Sequence, residues 1–235
     1  MSKNIEARIQ ARHLAAAMVI AAKDDIRYYL NGVCIEPAPD GGILLVSTDG
    51  HRLLVIHDPD GFASEQFILP RNPDLIRVCN KSSLPNGSQR DMKRVSRIVV
   101  RGGLAYAVNN CFDLESPEFD PTTTNCAWPF NPIDGRFADW RRVLAESDNE
   151  NDEGKKSFSV NPKYFGDFEV VKKHLGGTWG VVLHTGKNQD KTYVEIPANQ
   201  DMRAFGVVMH SRSEVVEGGK GFLPSWVSSL KAEAA

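Results

Sequence analysis

The grouping in this sequence that comes nearest to catalytic chemistry is Asp49-Gly50-His51 with Asp58 seven positions after the histidine. A carboxylate beside an imidazole could shuttle a proton, since His titrates near neutral pH. Asp-Gly between two apolar runs is first of all a turn signal, however, and a lone His is most often structural or solvated. Gly186-Lys187 has a lysine for phosphate, yet no Ser or Thr follows it and the glycine spacing is wrong for a P-loop. There is no GxSxG elbow and no HExxH helix. The histidines at 13, 51, 57, 174, 184 and 210 lack metal-ligand spacing. Cys34, Cys79, Cys111 and Cys126 lie far apart with no CxxC pair, which suits reduced thiols in a cytoplasmic protein. The expectation is no catalytic residue, no metal and no cofactor: a binding or scaffolding protein rather than an enzyme.

Charge is the more informative signal. Lys plus Arg total 28 against 30 Asp plus Glu, a net charge of −2. That excludes a uniformly basic nucleic-acid binder and still permits a segregated basic face. Arg12 and Lys23 are eleven residues apart, about three helical turns, and share one edge of a helix. Arg71, Arg77 and Lys81 accompany a second helix; Lys163, Lys172 and Lys173 a third. Side by side, three such helices would present cations to a phosphate backbone without reading bases. The competing reading is that these cations merely solvate helix exteriors, and Asp74, Asp167 and Glu169 dilute them.

The elements that must position these residues recur as short strand, helix, then about three strands. In the first unit a strand over 5–10 precedes a helix over 11–22, where Leu14, Ala17, Met18 and Ala21 mark one buried face. Strands over 27–36, 42–47 and 52–57 follow. The second unit has a strand over 66–69, a helix over 72–80 with Pro73 in its first turn, and strands over 95–101 and 104–109. A Pro- and Thr-rich stretch, about 113–132, reads as an insertion of the clamp-like domain 1–145. The charged run 146–156 is a linker. A third unit spans 157–212: a strand over 158–160, a helix over 162–175 stopped by Gly176-Gly177, and strands over 179–184, 192–196 and 204–210. The tail 213–235 is charged and Gly-rich before the apolar Phe222-Leu223-Pro224-Ser225-Trp226-Val227, read as docked on the body or as an exposed peptide ligand.

Two strings, Arg27-Tyr28-Tyr29-Leu30-Asn31-Gly32 and Thr48-Asp49-Gly50-His51-Arg52-Leu53, resemble the middle domain of the bacterial DNA polymerase III beta subunit, the sliding clamp. Asp134-Gly135-Arg136-Phe137 with Asp139-Trp140-Arg141-Arg142-Val143-Leu144 resembles the end of that domain, and Val207-Val208-Met209 with Arg212 resembles the closing strand of the whole clamp. The resemblance implies an α+β, DNA-clamp-like fold: repeated strand-helix-three-strand units, with helices on one face of antiparallel sheets. It implies a non-catalytic protein that binds duplex DNA and tethers polymerase or repair proteins through short peptides. The peptide pocket would comprise Leu30, Thr48, Gly50, His51, Arg52, Leu53, Val207, Val208, Met209 and Arg212. Tyr28 and Tyr29 match positions near the DNA, and the basic helix residues match the inner lining. The alternative is a clamp-derived interaction module or clamp competitor that forms no ring.

Departures from the pattern carry expectations of their own. A usual clamp chain has six such units in three domains, whereas three are legible here, making this a shortened relative of the middle and last domains. Ala145 and His210 replace expected prolines. A lone third unit leaves an apolar helix face uncovered, which is unfavourable. Pairing of two chains through their third units would cover it, and four chains would supply twelve units, so a dimer or tetramer is expected, the alternative being that the tail from Gly219 to Leu230 covers that face within one chain. No run approaches the roughly 18 apolar residues of a membrane span, and no signal peptide is read at residues 1–12, so the expected location is the cytoplasm.

Overall fold

A computed structural model describes residues 5–80, 95–109, 126–144, 159–178, 180–185, 190–197 and 204–211. Strand β1 (Ala7–Gln10) runs straight into helix α1 (Ala11–Ile20), and a 3-10 turn (Tyr28–Leu30) leads to β2 (Gly32–Pro37), β3 (Ile43–Thr48) and β4 (Arg52–Asp58). Next come β5 (Phe62–Ala63), β6 (Phe67–Pro70), α2 (Pro73–Asn80), β7 (Val95–Arg101), β8 (Leu104–Asn109) and β9 (Cys126–Pro129). Helices α3 (Arg141–Leu144) and α4 (Pro162–His174) precede β10 (Val182–Thr185), β11 (Lys191–Glu195) and β12 (Ala204–Met209).

Two antiparallel sheets result. One has the order β5-β1-β7-β8-β9, the other β10-β11-β12-β4-β3-β2-β6. The second is continuous across units because β12 pairs with β4, from Ala204 opposite Ile56 to Val208 opposite Arg52. That one ladder attaches the third unit to the first.

Helix ends follow the residue types. Asn72 Oδ1 accepts the N–H groups of Asp74 (2.8 Å) and Leu75 (3.3 Å), with Pro73 first in α2. Asn161 likewise accepts from Lys163 at 3.0 Å and opens α4 before Pro162. At the other end of α4, Gly176 takes φ +79°. The N–H groups of Gly177 and Gly176 donate to the carbonyls of Lys172 (3.0 Å) and Lys173 (3.2 Å), the paired bonds of a Schellman stop.

Three expectations change. Tyr28–Leu30 form the 3-10 turn rather than strand, because the Asn31 side chain clips the loop shut: it accepts from Asp25 N–H (2.8 Å) and donates to the Asp25 carbonyl (2.9 Å). Within the expected insertion, residues 126–129 make edge strand β9 on β8, and 110–125 lie outside the described residues. Residues 159–160 form no strand, although the Ser159 carbonyl accepts from Ser211 N–H at 2.7 Å. The linker 146–156 and tail 213–235 also fall outside the description.

Helix α1 is buried over most of its circumference rather than on one face, with Arg12 and Val19 partly exposed along one edge. Ala11, His13, Leu14, Ala15, Ala16, Ala17, Met18 and Ile20 are all inaccessible, with α2 and α4 packed against it. Ala15–Ala17 have no side chain beyond Cβ, so neighbouring elements close in from all sides. The start of α1 is pinned by Asp58, which accepts Gln10 N–H at 3.0 Å and lies 3.5 Å from His13 Nδ1. Burial works to raise the Asp58 pKa, but His13 and the Gln10 N–H outweigh it and hold the carboxyl below its usual range.

Helix α4 docks through Phe168, which is fully buried over Gly206 of β12; a Cβ at 206 would lie 2.2 Å from the ring. Phe168→Ala should therefore cost roughly 3–5 kcal/mol in urea unfolding. The loss of amide protection should concentrate in α4 and β10–β12.

Candidate functional site

The β3–β4 turn is built by side chains that replace missing backbone partners. Thr48 Oγ1 donates to the Arg52 carbonyl (2.6 Å) and accepts from Gly50 N–H (3.0 Å). Asp49 Oδ1 accepts the N–H groups of His51 (3.0 Å) and Arg52 (3.1 Å). Gly50 takes φ +87°, and a Cβ there would lie 2.7 Å from the Arg27 guanidinium. Arg27 donates to the Asp49 carbonyl (3.2 Å) and pairs with Asp25 at 2.8 Å, so the 3-10 turn and the hairpin turn are tied together. The hydrogen bonds from the Arg27 side chain and N–H lower the Asp25 pKa to about 2.

Arg52 leaves this turn toward α4. Its Nε lies 3.0 Å from Asp49, its Nη1 lies 2.6 Å from Asp167 of α4, and its guanidinium sits 5.0 Å from the Tyr164 ring centre. His51 stacks on the same ring at 5.8 Å and 15°. Turn and helix α4 thus share one polar joint.

Beside that joint opens an apolar cavity of about 150 Å³ between the 3-10 turn, the hairpin turn, α3 and β12. Buried Leu30, Leu53 and Val207 contribute its apolar lining, joined by Tyr29, Trp140, Val143 and Met209. Arg27, Thr48, Gly50, Arg52, Ala138 and Asp139 complete it. Trp140 is 8% exposed and lies 4.3 Å from the Arg141 guanidinium, which itself pairs with Glu36 at 2.6 Å. The Trp140 indole N–H is buried with no hydrogen-bond partner among the described residues.

Of the expected pocket residues, Leu30, Thr48, Gly50, Arg52, Leu53, Val207 and Met209 line this cavity. His51 turns instead to Tyr164. Val208 is fully buried in the core cluster that contains Phe168, because successive strand residues face opposite sides. Arg212 lies outside the described residues. Sequence reasoning missed Trp140 and Val143, whose three-residue spacing puts both on one side of a helical turn, and gave Tyr29 a DNA role.

The residues expected to face DNA divide. Tyr28 is 57% exposed, set edge-on to half-buried Tyr29, and Lys23 and Lys163 are exposed. Arg12 is half-buried and donates to Gln10 at 2.7 Å. Arg71 turns inward, donating to the carbonyls of Met18 and Ala21 at the end of α1, and burial lowers its pKa. Arg77 pairs with Asp74 (2.7 Å); buried Lys172 and exposed Lys173 share Glu169 at 2.7 and 3.3 Å. Lys81 lies outside the described residues. A second groove of about 490 Å³ along α1 and α4 holds Lys23, Arg71 and Lys163 together with Asp25, Asp49 and Asp167.

The acid–base grouping is not assembled. Asp58 is buried at the far end of β4, about 20 Å of strand from the turn, and Asp49 is committed to the turn and Arg52. Burial raises the thiol pKa of Cys34 to about 11 and of Cys79 to about 12, leaving both protonated. No group of His, Cys, Asp and Glu able to hold a metal occurs among the described residues, and no helix there is long and apolar enough to cross a membrane.

No family model matches the chain. It is 25% identical to the beta sliding clamp of Escherichia coli K12 over 231 residues, covering 94% of this chain and 54% of that protein. It is 33% identical to the Vibrio cholerae beta sliding clamp over 130 residues, 53% of this chain and 28% of that one. The chain therefore spans about half the length of the curated relatives it matches. Among solved structures it aligns with the DNA polymerase sliding clamp of Pseudomonas aeruginosa at TM-score 0.55 and 18% identity, covering 91% of this chain and 68% of that one. A sliding clamp from Bartonella birtlesii bound to griselimycin aligns at 0.56 with 14% identity, over the same shares. The chain is similar to the beta sliding clamps over most of its length and has their α+β fold of antiparallel sheets backed by helices.

The Asp25–Arg27 pair gives a pH prediction. A folded pKa of about 2 lies below the unfolded value of about 3.9. Its contribution is thus present above the unfolded value and lost as pH falls through about 2. Carboxyl-carbon NMR should place the Asp25 midpoint near 2, and Arg27→Met should return it toward the ordinary carboxylate range.

Proposed function

We propose that this chain is a non-catalytic, clamp-like tethering protein that holds polymerase or repair factors beside duplex DNA by capturing short peptides. The observation that carries the reading is the apolar cavity shared by two units: seven residues of the expected pocket converge there, from the 3-10 turn, both sides of the hairpin turn and β12. An apolar base ringed by a few fixed polar groups suits one or two peptide side chains with their backbone oriented. Lys23, Lys163 and Tyr28 supply the open contacts to a phosphate backbone.

A second copy of the chain completes the assembly in this reading. The outer edge of β10 has no partner strand among the described residues, all four of its residues are exposed, and Val182 and Leu183 are 44% and 50% accessible. Exposed strand edges with apolar side chains favour pairing. The alternative, an interaction module that forms no ring, is favoured by one specific fact: Arg71, Arg77, Lys172 and Lys173 are all engaged by carbonyls or carboxylates and add little free positive charge.

Two measurements test the proposal. A fluorescein-labelled polymerase-tail peptide of the kind that docks on bacterial clamps should bind in anisotropy titrations. Val143→Asp, on the half-exposed side of the cavity, should weaken it at least tenfold while leaving the far-UV spectrum unchanged. Light scattering should give an even oligomer, and Leu183→Lys on the β10 edge should shift it toward monomer. A monomer with and without duplex DNA would select the interaction module.

A further inference from the structure

Met209 lines the peptide cavity, and the chain runs on from it through Ser211 toward the apolar stretch that begins at Phe222. We propose that residues 221–230, Gly-Phe-Leu-Pro-Ser-Trp-Val-Ser-Ser-Leu, fold back in cis as the cavity's resident occupant, so that an incoming peptide must displace the chain's own tail. The inference rests on the peptide-pocket reading above and adds the regulation of that same site.

Reach is sufficient. Phe222 follows Met209 by 13 positions, and a flexible link of that length has an average span of about 20 Å and an extended limit of about 45 Å. A segment tethered this closely has an effective concentration on the order of millimolar. Even weak docking is then populated, and a diluted external peptide competes at a disadvantage.

Charge complementarity selects this segment. Among the described residues both guanidiniums at the cavity are paired, Arg27 with Asp25 and Arg52 with Asp49 and Asp167, which leaves little positive charge to favour an acidic ligand. Residues 221–230 carry no charge, whereas Arg212, Glu214, Glu217, Lys220, Lys231 and Glu233 flank them on both sides. Phe222, Leu223 and Trp226 match in kind the apolar lining of Leu30, Leu53 and Val207.

The open β10 edge is the less favourable place for the tail. Val182 lies opposite Glu195, which lies opposite Phe205, so the exposed apolar pair sits two strands over and toward the opposite end of β12 from Met209.

The test uses the full chain and a fluorescein-labelled synthetic peptide of residues 219–230. The Phe222→Ala/Trp226→Ala variant should bind this probe at least tenfold more tightly than the unaltered chain, because its own tail no longer competes. Adding Val143→Asp should abolish that gain; Met209→Glu, also half-exposed, provides a second check if the first variant misfolds. Equal affinity of the unaltered and double-alanine chains, or a gain that survives both cavity substitutions, overturns the proposal. The polymerase-tail peptide separates the two readings. If it binds both chains equally, the cavity takes peptides but the tail does not occupy it, and the inference fails alone. If it binds neither chain, the pocket reading fails and the inference with it.

Discussion

Removing one guanidinium from water, that of Arg52, fixes more of this molecule than any other polar contact. Its side chain is 8% exposed and is compensated by Asp49 of its own turn and Asp167 of α4. Neither carboxylate alone suffices: breaking a buried pair strands a charge and costs roughly 3–5 kcal/mol. The hairpin turn holds its own backbone through Thr48 and Asp49, and α4 cannot leave without taking Asp167 from the Arg52 guanidinium. Because Arg52 also borders both the apolar cavity and the groove along α1, the shape of each is tied to the seating of the third unit.

The same dependence appears in α1. A helix of alanines with Leu14, Met18 and Ile20 has little side-chain bulk of its own and gains stability only when something packs on every side. Sheets, α2 and α4 provide that cover, and Arg71 caps its last carbonyls from outside. Cations that would have faced a nucleic acid are thereby drawn into structural work. The helix-lined face that remains carries Lys23 and Lys163 beside three aspartates, a mixed surface rather than a basic one.

How much of this was legible in the sequence depends on the range of the interaction. Helix limits were readable because Asn72, Pro73, Asn161, Pro162 and Gly176 act within their own turn. The Thr48–Leu53 turn was equally local, and seven of the residues named through the resemblance line one cavity. The inward turn of Arg71 was not legible, since periodicity assigns a face to a residue on α2's approach but cannot say that another helix ends within its reach. Val208 was misassigned although strand alternation alone separates it from Val207 and Met209. The 3-10 turn was hidden because Tyr-Tyr-Leu carries strong strand preference, and only the Asn31 clip to Asp25 overrides it.

The β4–β12 seam brings Arg52 opposite Val208 across most of the chain's length. A ladder of such separation is slow to close, because the intervening loop entropy is lost before any pairing compensates it. During synthesis β4 leaves the ribosome long before β12, with its hairpin edge waiting for a strand not yet made. The cavity lacks Val207 and Met209 throughout that interval. A nascent chain has only part of this lining, so the complete cavity is itself a mark of a finished chain.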